Sequence, residues 1–391
     1  MGRKIVTGIL IVVALLLVIF ALGPRVAVDT SLHFDPAAIG NDPDAYLARI
    51  EAAVPSIRDG LQKEIVWADS ATQTKTPLAI VYIHGFSASK GEVRPLPDKV
   101  AAALGANLFF TRFTGHGGDS AAMAEGSVNA WVNDYAEAIA IGRAIGDRVV
   151  VIAASTGAAL ATWAATEPDL SNGVAAMAFI SPNYGVQASG AFILTMPWGK
   201  QIAELIVGKE RSFPVENELH GKFWTSRYPT SATLPMAALT NLARDTPVEK
   251  IAIPALFIFS DTDKVVRPDL TRAIAARWGA RHEIFPVEQN DDPSSHVIAG
   301  DGLSPSTTDA LAQRIIDWVK ILRASDWTGL DGFRLNPAPE TRGGRICRKS
   351  TWPPYPHARV RDIRHHSIRP APRGRGDALA MRAGFAISGS T

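Results

Sequence analysis

Six short apolar runs recur along the middle of the chain, at residues 78–83, 107–110, 149–154, 175–180, 254–259 and, less purely, 283–287. A strand with one face in water alternates apolar and polar residues, whereas a strand covered on both faces does not. Runs this short, bounded by Gly, Pro or Asp, suit strands buried on both sides. Between most of them lie segments of helical spacing. In residues 131–145, for example, Trp131, Tyr135, Ala138, Ile139, Gly142 and Ile145 fall on one stripe. Strands alternating with helices imply an α/β fold, a mostly parallel sheet flanked by helices.

One interval breaks the rhythm. Residues 183–251 contain no strand-like run but keep apolar and aromatic side chains, among them Phe192, Met196, Trp198, Phe213, Phe223, Trp224, Tyr228 and Met236. So many aromatics are costly to expose on a loop. The interval is therefore expected to be a helical cap over the C-terminal edge of the sheet, where open α/β sheets bind ligands. A last core helix is expected at 306–322, with Thr307 or Thr308 as its cap.

Both ends differ from the body. Arg3 and Lys4 precede an apolar run over residues 5–22, broken only by Thr7 and Gly8. At 1.5 Å per residue this reaches roughly 27 Å, close to the hydrocarbon thickness of a bilayer. Pro24 stands just beyond a passable small-residue cleavage site, so residues 1–23 read as an uncleaved transmembrane signal anchor rather than a removed leader. The preceding positive charge predicts a single pass through the inner membrane, a cytoplasmic N-terminus and a body that is periplasmic or extracellular. Residues 24–60 read as a linker with one short helix, 61–323 as the main domain, and 324–391 as a basic, disordered tail. That tail carries +7 of the chain's net +2, which leaves the body at −5 and without a basic footprint for nucleic acid. The single cysteine, Cys347, allows no intrachain disulfide.

The chemistry gathers after the apolar runs. Residues 149–154 lead into Ser155-Thr156-Gly157 and a small-residue helix start. A nucleophile on a sharp strand-to-helix turn needs small residues two positions either side, and here they are Ala153 and Gly157. The pattern alone is common by chance, and a helix N-cap would suit Ser155 as well. After the first run comes His84-Gly85-Phe86, where the Phe86 N–H is expected to join that of Thr156 as an oxyanion donor. His84 is expected to hold loop structure. The run ending at Phe259 opens into Ser260-Asp261-Thr262-Asp263, with Asp263 expected as the orienting acid and Asp261 as a brace of the turn through an Asx bond. The loop after the last run, Asp291-Asp292-Pro293-Ser294-Ser295-His296, offers His296 as base. The segment after the 175–180 run, Ser181-Pro182-Asn183, contains no competing acid.

With Arg112-Phe113-Thr114-Gly115-His116-Gly117 added, the chain from about residue 75 to 322 resembles an α/β-hydrolase of the monoglyceride-lipase and carboxylesterase type. The order serine, acid, histidine is that of this fold. Ala153 in place of the first glycine of G-x-S-x-G, and the tail, depart from the family's pattern. The resemblance implies a serine hydrolase that cleaves carboxylic esters through an acyl-enzyme on Ser155, needing no metal or organic cofactor. It implies a small-molecule ester or lipid substrate and a catalytic set of Ser155, Asp263 and His296. Dehalogenase or epoxide-hydrolase chemistry would want an acid at position 155. Peptidase or thioesterase activity, and a catalytically inactive membrane-tethered binding protein on the same fold, are the alternatives.

Overall fold

A computed structural model describes residues 2–55 and 57–325. Its centre is a seven-stranded sheet built from β1 (Glu64–Val66), β2 (Thr76–Ile83), β3 (Asn107–Phe110), β4 (Gly146–Ala154), β5 (Val174–Ile180), β8 (Ala255–Phe259) and β9 (His282–Pro286). The spatial order is β1-β3-β2-β4-β5-β8-β9. All neighbours pair in parallel except β1, which runs antiparallel along β3. The six apolar runs are the six parallel strands. Their continuity has a direct cause, because alternate residues enter two separate cores. Val81, Ile83, Val151, Ala153 and Phe179 face one side, and Ile80, Tyr82, Val150, Ile152 and Ile180 face the other.

Helices cover both faces. α4 (Val128–Ile145), α5 (Ser155–Ala164), the short α6 (Pro168–Ser171), α9 (Thr233–Asp245) and α10 (Pro268–Arg277) contribute buried residues to the first core. α3 (Leu96–Leu104) and α11 (Pro305–Ser325) pack together over the second. The first turn of α11 is closed by Asp291, whose carboxylate accepts the Ser306 N–H at 2.8 Å. Thr307 and Thr308 lie inside that turn and donate to the carbonyls of Ile298 and Ser304 instead, so neither is the cap.

The interval expected as a helical cap holds α7 (Gly199–Val207), α8 (Glu218–Phe223) and α9, joined by 3-10 turns. It also holds a two-stranded antiparallel hairpin, β6 (Glu210–Ser212) with β7 (Arg227–Pro229), which has no counterpart in the apolar pattern. α9 lies against α5 and buries Leu239 and Ala243 in the first core. The end of the interval is therefore part of the helical layer.

The stretch expected as a linker contains its one α-helix, α2 (Pro43–Ala52), and it is packed on the body. Ile39, Tyr46 and Leu47 join the first core. Two charged ties hold them there. Glu51 takes a bidentate pair from Arg112, at 3.0 and 2.7 Å, with both side chains 6% exposed. Glu137 on α4 accepts the Tyr46 hydroxyl at 2.7 Å and pairs with Lys63. Arg112 also donates to the His116 carbonyl, so the tie reaches the turn after β3.

α1 (Gly2–Ala21) is long and apolar enough to cross a membrane, and none of its residues is buried. Just past its end the Pro24 carbonyl accepts the Trp198 N–H at 2.8 Å, and the Trp198 indole donates to the Ile19 carbonyl at 3.2 Å. The tail expected to be disordered lies, from residue 326 onward, outside the described residues.

Removing one member of a buried ion pair leaves the other charge without compensation, at a cost of about 3–5 kcal/mol. Arg112→Ala should therefore lower stability by about that amount, read from urea unfolding followed by far-UV circular dichroism. An unchanged midpoint would mean that α2 is not tied to the body through Glu51.

Candidate active site

Parallel strands deliver their C-terminal ends to one edge of the sheet, and the residues singled out above arrive there in loops. Ser155 is the first residue of α5, directly after β4, and adopts φ +47°. That left-handed backbone is rare for a side chain with Cβ and belongs to tight turns under constraint. α5 leaves the turn pressed against the end of β2. A Cβ on Gly157 would lie 2.5 Å from the His84 carbonyl oxygen and 2.6 Å from that of Ile83, so the position accepts only glycine. Ala153, within β4, is fully buried and leaves the turn intact.

The structure brings Ser155, His296 and Asp263 into one line. His296 Nε2 stands 3.1 Å from Ser155 Oγ, and His296 Nδ1 stands 2.8 Å from Asp263 Oδ2. Asp263 is buried, and its other oxygen accepts the N–H groups of Val265 and Val266 at 2.7 and 2.9 Å. The turn is thus braced by Asp263 itself. Asp261, expected to do this, points outward and pairs with Arg272 on the surface. Burial acts against the charged form of His296, but the Asp263 charge and hydrogen bond outweigh it, with smaller help from Glu92 and Asp292. The imidazole pKa is accordingly raised above its ordinary value.

The two expected oxyanion donors flank this line. Thr156 is in the first turn of α5, where N–H groups have no helical partner. Phe86 lies in the loop after β2. Neither N–H has a hydrogen-bond partner among the described residues. His84 is committed to backbone. Its Nε2 accepts the Phe113 N–H at 3.0 Å, which leaves Nδ1 to donate to the Gly85 carbonyl at 2.8 Å. Burial pushes its pKa down to about 4, so it stays neutral.

Three further residues organise the site. Asp292 Oδ2 accepts the N–H groups of His296 and Val297 at 3.0 and 2.8 Å and the Ser294 hydroxyl at 2.6 Å, which shapes the loop carrying the imidazole. Ser181 donates to the His296 carbonyl at 2.6 Å. The Asn183 N–H donates to the Ser155 carbonyl at 3.1 Å. All three act on backbone, which gives no sequence pattern beyond a polar residue in a loop next to a strand end.

Aromatic rings of the interval pack on the loops that carry the site. Tyr228 of β7 meets the Phe86 ring edge-on at 5.2 Å between centroids, and Trp131 and His116 stand behind Phe86. Trp224 packs with Ala88 of the Phe86 loop and Val297 of the His296 loop. Among the described residues no cluster of His, Cys, Asp and Glu could hold a metal ion.

The model of the alpha/beta hydrolase family matches residues 80–314, more than half of the chain, and the chain belongs to that family. Among solved structures, a chain described with the two metagenome-derived lipolytic enzymes LipS and LipT is similar, with a TM-score of 0.54 at 20% identity over 68% of this chain and 99% of that one. A soluble variant of monoglyceride lipase from Saccharomyces cerevisiae is similar with a TM-score of 0.50 at 12% identity, over 69% of this chain and 95% of that one. At these identities the likeness is one of fold. Comparison with curated proteins returns no match.

A base must be neutral to accept a proton, so a raised histidine pKa moves the loss of activity on acidification to higher pH. The acid limb of kcat/KM for ester hydrolysis should have an apparent pKa above the ordinary histidine value of about 6.5. In Asp263→Asn burial acts unopposed by that carboxylate. The limb should move to lower pH and the rate should fall by about 10³–10⁴-fold. Asp261→Asn, which removes only a surface pair, should stay within about threefold of the parent. The reverse ranking would move the acid to Asp261.

Proposed function

We propose that the protein is a membrane-tethered serine hydrolase that cleaves carboxylic esters, of small molecules or lipids, through an acyl-enzyme on Ser155. The observation that carries this reading is the continuous line Asp263–His296–Ser155, at 2.8 and 3.1 Å, beside two unengaged N–H groups. In the proposed cycle His296 Nε2 takes the Ser155 proton as Oγ bonds to the ester carbonyl carbon. The carbonyl electron pair moves onto oxygen, where the Phe86 and Thr156 N–H groups receive the charge; one such donor is typically worth about 3–4 kcal/mol. His296, now an imidazolium stabilised by Asp263, gives its proton to the departing alcohol. Water then gives a proton to His296 as it attacks the acyl carbon, and when the acyl–Oγ bond breaks His296 returns that proton to Ser155, releasing the acid.

The partly exposed ring pair of Phe86 and Tyr228 suits an apolar acyl or alcohol portion. The 20-residue α1 is read as an uncleaved anchor, with Arg3 and Lys4 held on the cytoplasmic side and the hydrolase body exported. Its contact with Trp198 would keep the cap beside the lipid surface, in reach of lipid esters.

Ser155→Ala should abolish hydrolysis of a p-nitrophenyl ester and labelling by a fluorophosphonate while leaving the circular dichroism spectrum unchanged. Retention of most of the activity would move the nucleophile elsewhere. For topology, a periplasm-dependent reporter fused after residue 323 should be active, and the fusion should sediment with membranes. A reporter active only in the cytoplasm would overturn the exported body without touching the chemistry.

A further inference from the structure

Glu92 is a buried carboxylate that neither the triad nor an ion pair accounts for. Its side chain lies inside the body, with the residue 4% exposed. The neighbouring cations Lys90 and Arg94 both pair with Glu64, and no described ion pair includes Glu92. A buried acid without a cation is costly unless hydrogen bonds satisfy it. Here Oε2 accepts two, from the Gly85 N–H at 2.6 Å and from the Tyr82 hydroxyl at 2.8 Å.

Gly85 stands between His84 and Phe86 and touches the nucleophile's turn. A Cβ built on it would lie 2.6 Å from Glu92 Oε1 and 3.1 Å from Ser155 Cβ. Both polar groups of Gly85 are held, the N–H by Glu92 and the carbonyl by His84 Nδ1 at 2.8 Å. The Gly85 carbonyl and the Phe86 N–H share one peptide plane and point in opposite directions. Glu92 holds the peptide plane before Gly85 and His84 Nδ1 the plane after it, so together they fix both torsions of Gly85 and with them the direction of the Phe86 N–H. Glycine has wide backbone freedom, so loss of the Glu92 acceptor releases the plane before Gly85 and leaves the plane after it to His84 Nδ1 and the longer contact from the Ala88 N–H at 3.4 Å. The backbone of the same segment meets the other loop of the site. Gly300, past His296, passes so close that an added Cβ would lie 2.7 Å from the Glu92 carbonyl oxygen, and the Asp301 N–H donates to the Arg94 carbonyl at 2.9 Å.

We infer that Glu92 is a positioning residue of the oxyanion hole, holding Gly85 so that the following N–H, that of Phe86, stays aimed at the developing oxyanion. This rests on the reading of Ser155 as the nucleophile. Burial pushes the Glu92 carboxyl above the usual range. Both groups on Oε2 are donors, so the role needs an acceptor at that place, and the glutamine carbonyl supplies one in the same shape.

The test compares E92Q with E92M, which keeps the length of the side chain and removes the acceptor. Measurements are kcat and KM on a p-nitrophenyl ester, the inhibition constant of a boronic acid whose tetrahedral adduct fills the oxyanion hole, and the melting temperature. In E92M kcat should fall about 100-fold with KM within about threefold, and boronate affinity should weaken by a similar factor. E92Q should recover kcat to within about fivefold of the parent. A folded E92M with kcat within threefold of the parent would overturn the assignment, as would an E92Q that loses as much as E92M. If E92M does not fold, E92Q decides alone, because a 100-fold loss there contradicts a role that needs only an acceptor. Fluorophosphonate labelling of the parent reads Ser155 separately. Without labelling the nucleophile falls and this role with it; with labelling, the variants bear on Glu92 alone.

Discussion

The turn at Ser155 is the constraint around which the rest is arranged. A non-glycine residue at φ +47° costs on the order of 1–3 kcal/mol and persists only where its surroundings leave no alternative. Those surroundings are specific. β4 is paired on both sides, by β2 and β5, so the strand entering the turn cannot shift. α5 leaves it pressed onto the end of β2 at Gly157, with Ala158, Ala159, Leu160 and Ala161 fully buried. The Asn183 N–H holds the Ser155 carbonyl from the end of β5. The turn lifts Oγ to the sheet edge and opens the first N–H groups of α5 beside it, so a hydroxyl and an anion-binding helix end arrive from one backbone feature.

Much of the rest of the edge is held in place by hydrogen bonds to backbone. Asp263 holds its own turn with one oxygen and the imidazole with the other. Asp292 and Ser181 shape the chain on either side of His296. His84 and Glu92 grip the glycine before Phe86. Trp224 then joins the Phe86 and His296 loops from above.

The parallel sheet was legible in the sequence because burial on both faces writes a continuous apolar run, and the loops after those runs were legible because the strands end at one edge. The three residues of the line could be named on that basis. What escaped has physical reasons. β1 is three residues long on an antiparallel edge, and Glu64-Ile65-Val66 carries no period. The β6–β7 hairpin is equally short, half-exposed and polar. The packing of residues 24–60 rests on Glu51 meeting Arg112, 61 positions away, a pairing with no local trace. Asp263 could be named over Asp261, but the surface pair that Asp261 makes with Arg272, in place of bracing the turn, leaves no local trace. Asp292, Ser181 and Glu92 work on backbone groups, for which many polar residues would read alike.

The central claim is covalent chemistry at Ser155, and its most direct measurement follows the acyl group itself. Rapid mixing of the full chain with a p-nitrophenyl ester, quenching in acid within the first turnover and mapping the modified peptide by mass spectrometry would locate the bond. The account predicts a burst of p-nitrophenol approaching one per chain and an acyl mass on the peptide bearing Ser155. An acyl group on another residue, or turnover with no covalent species at any quench time, would contradict it.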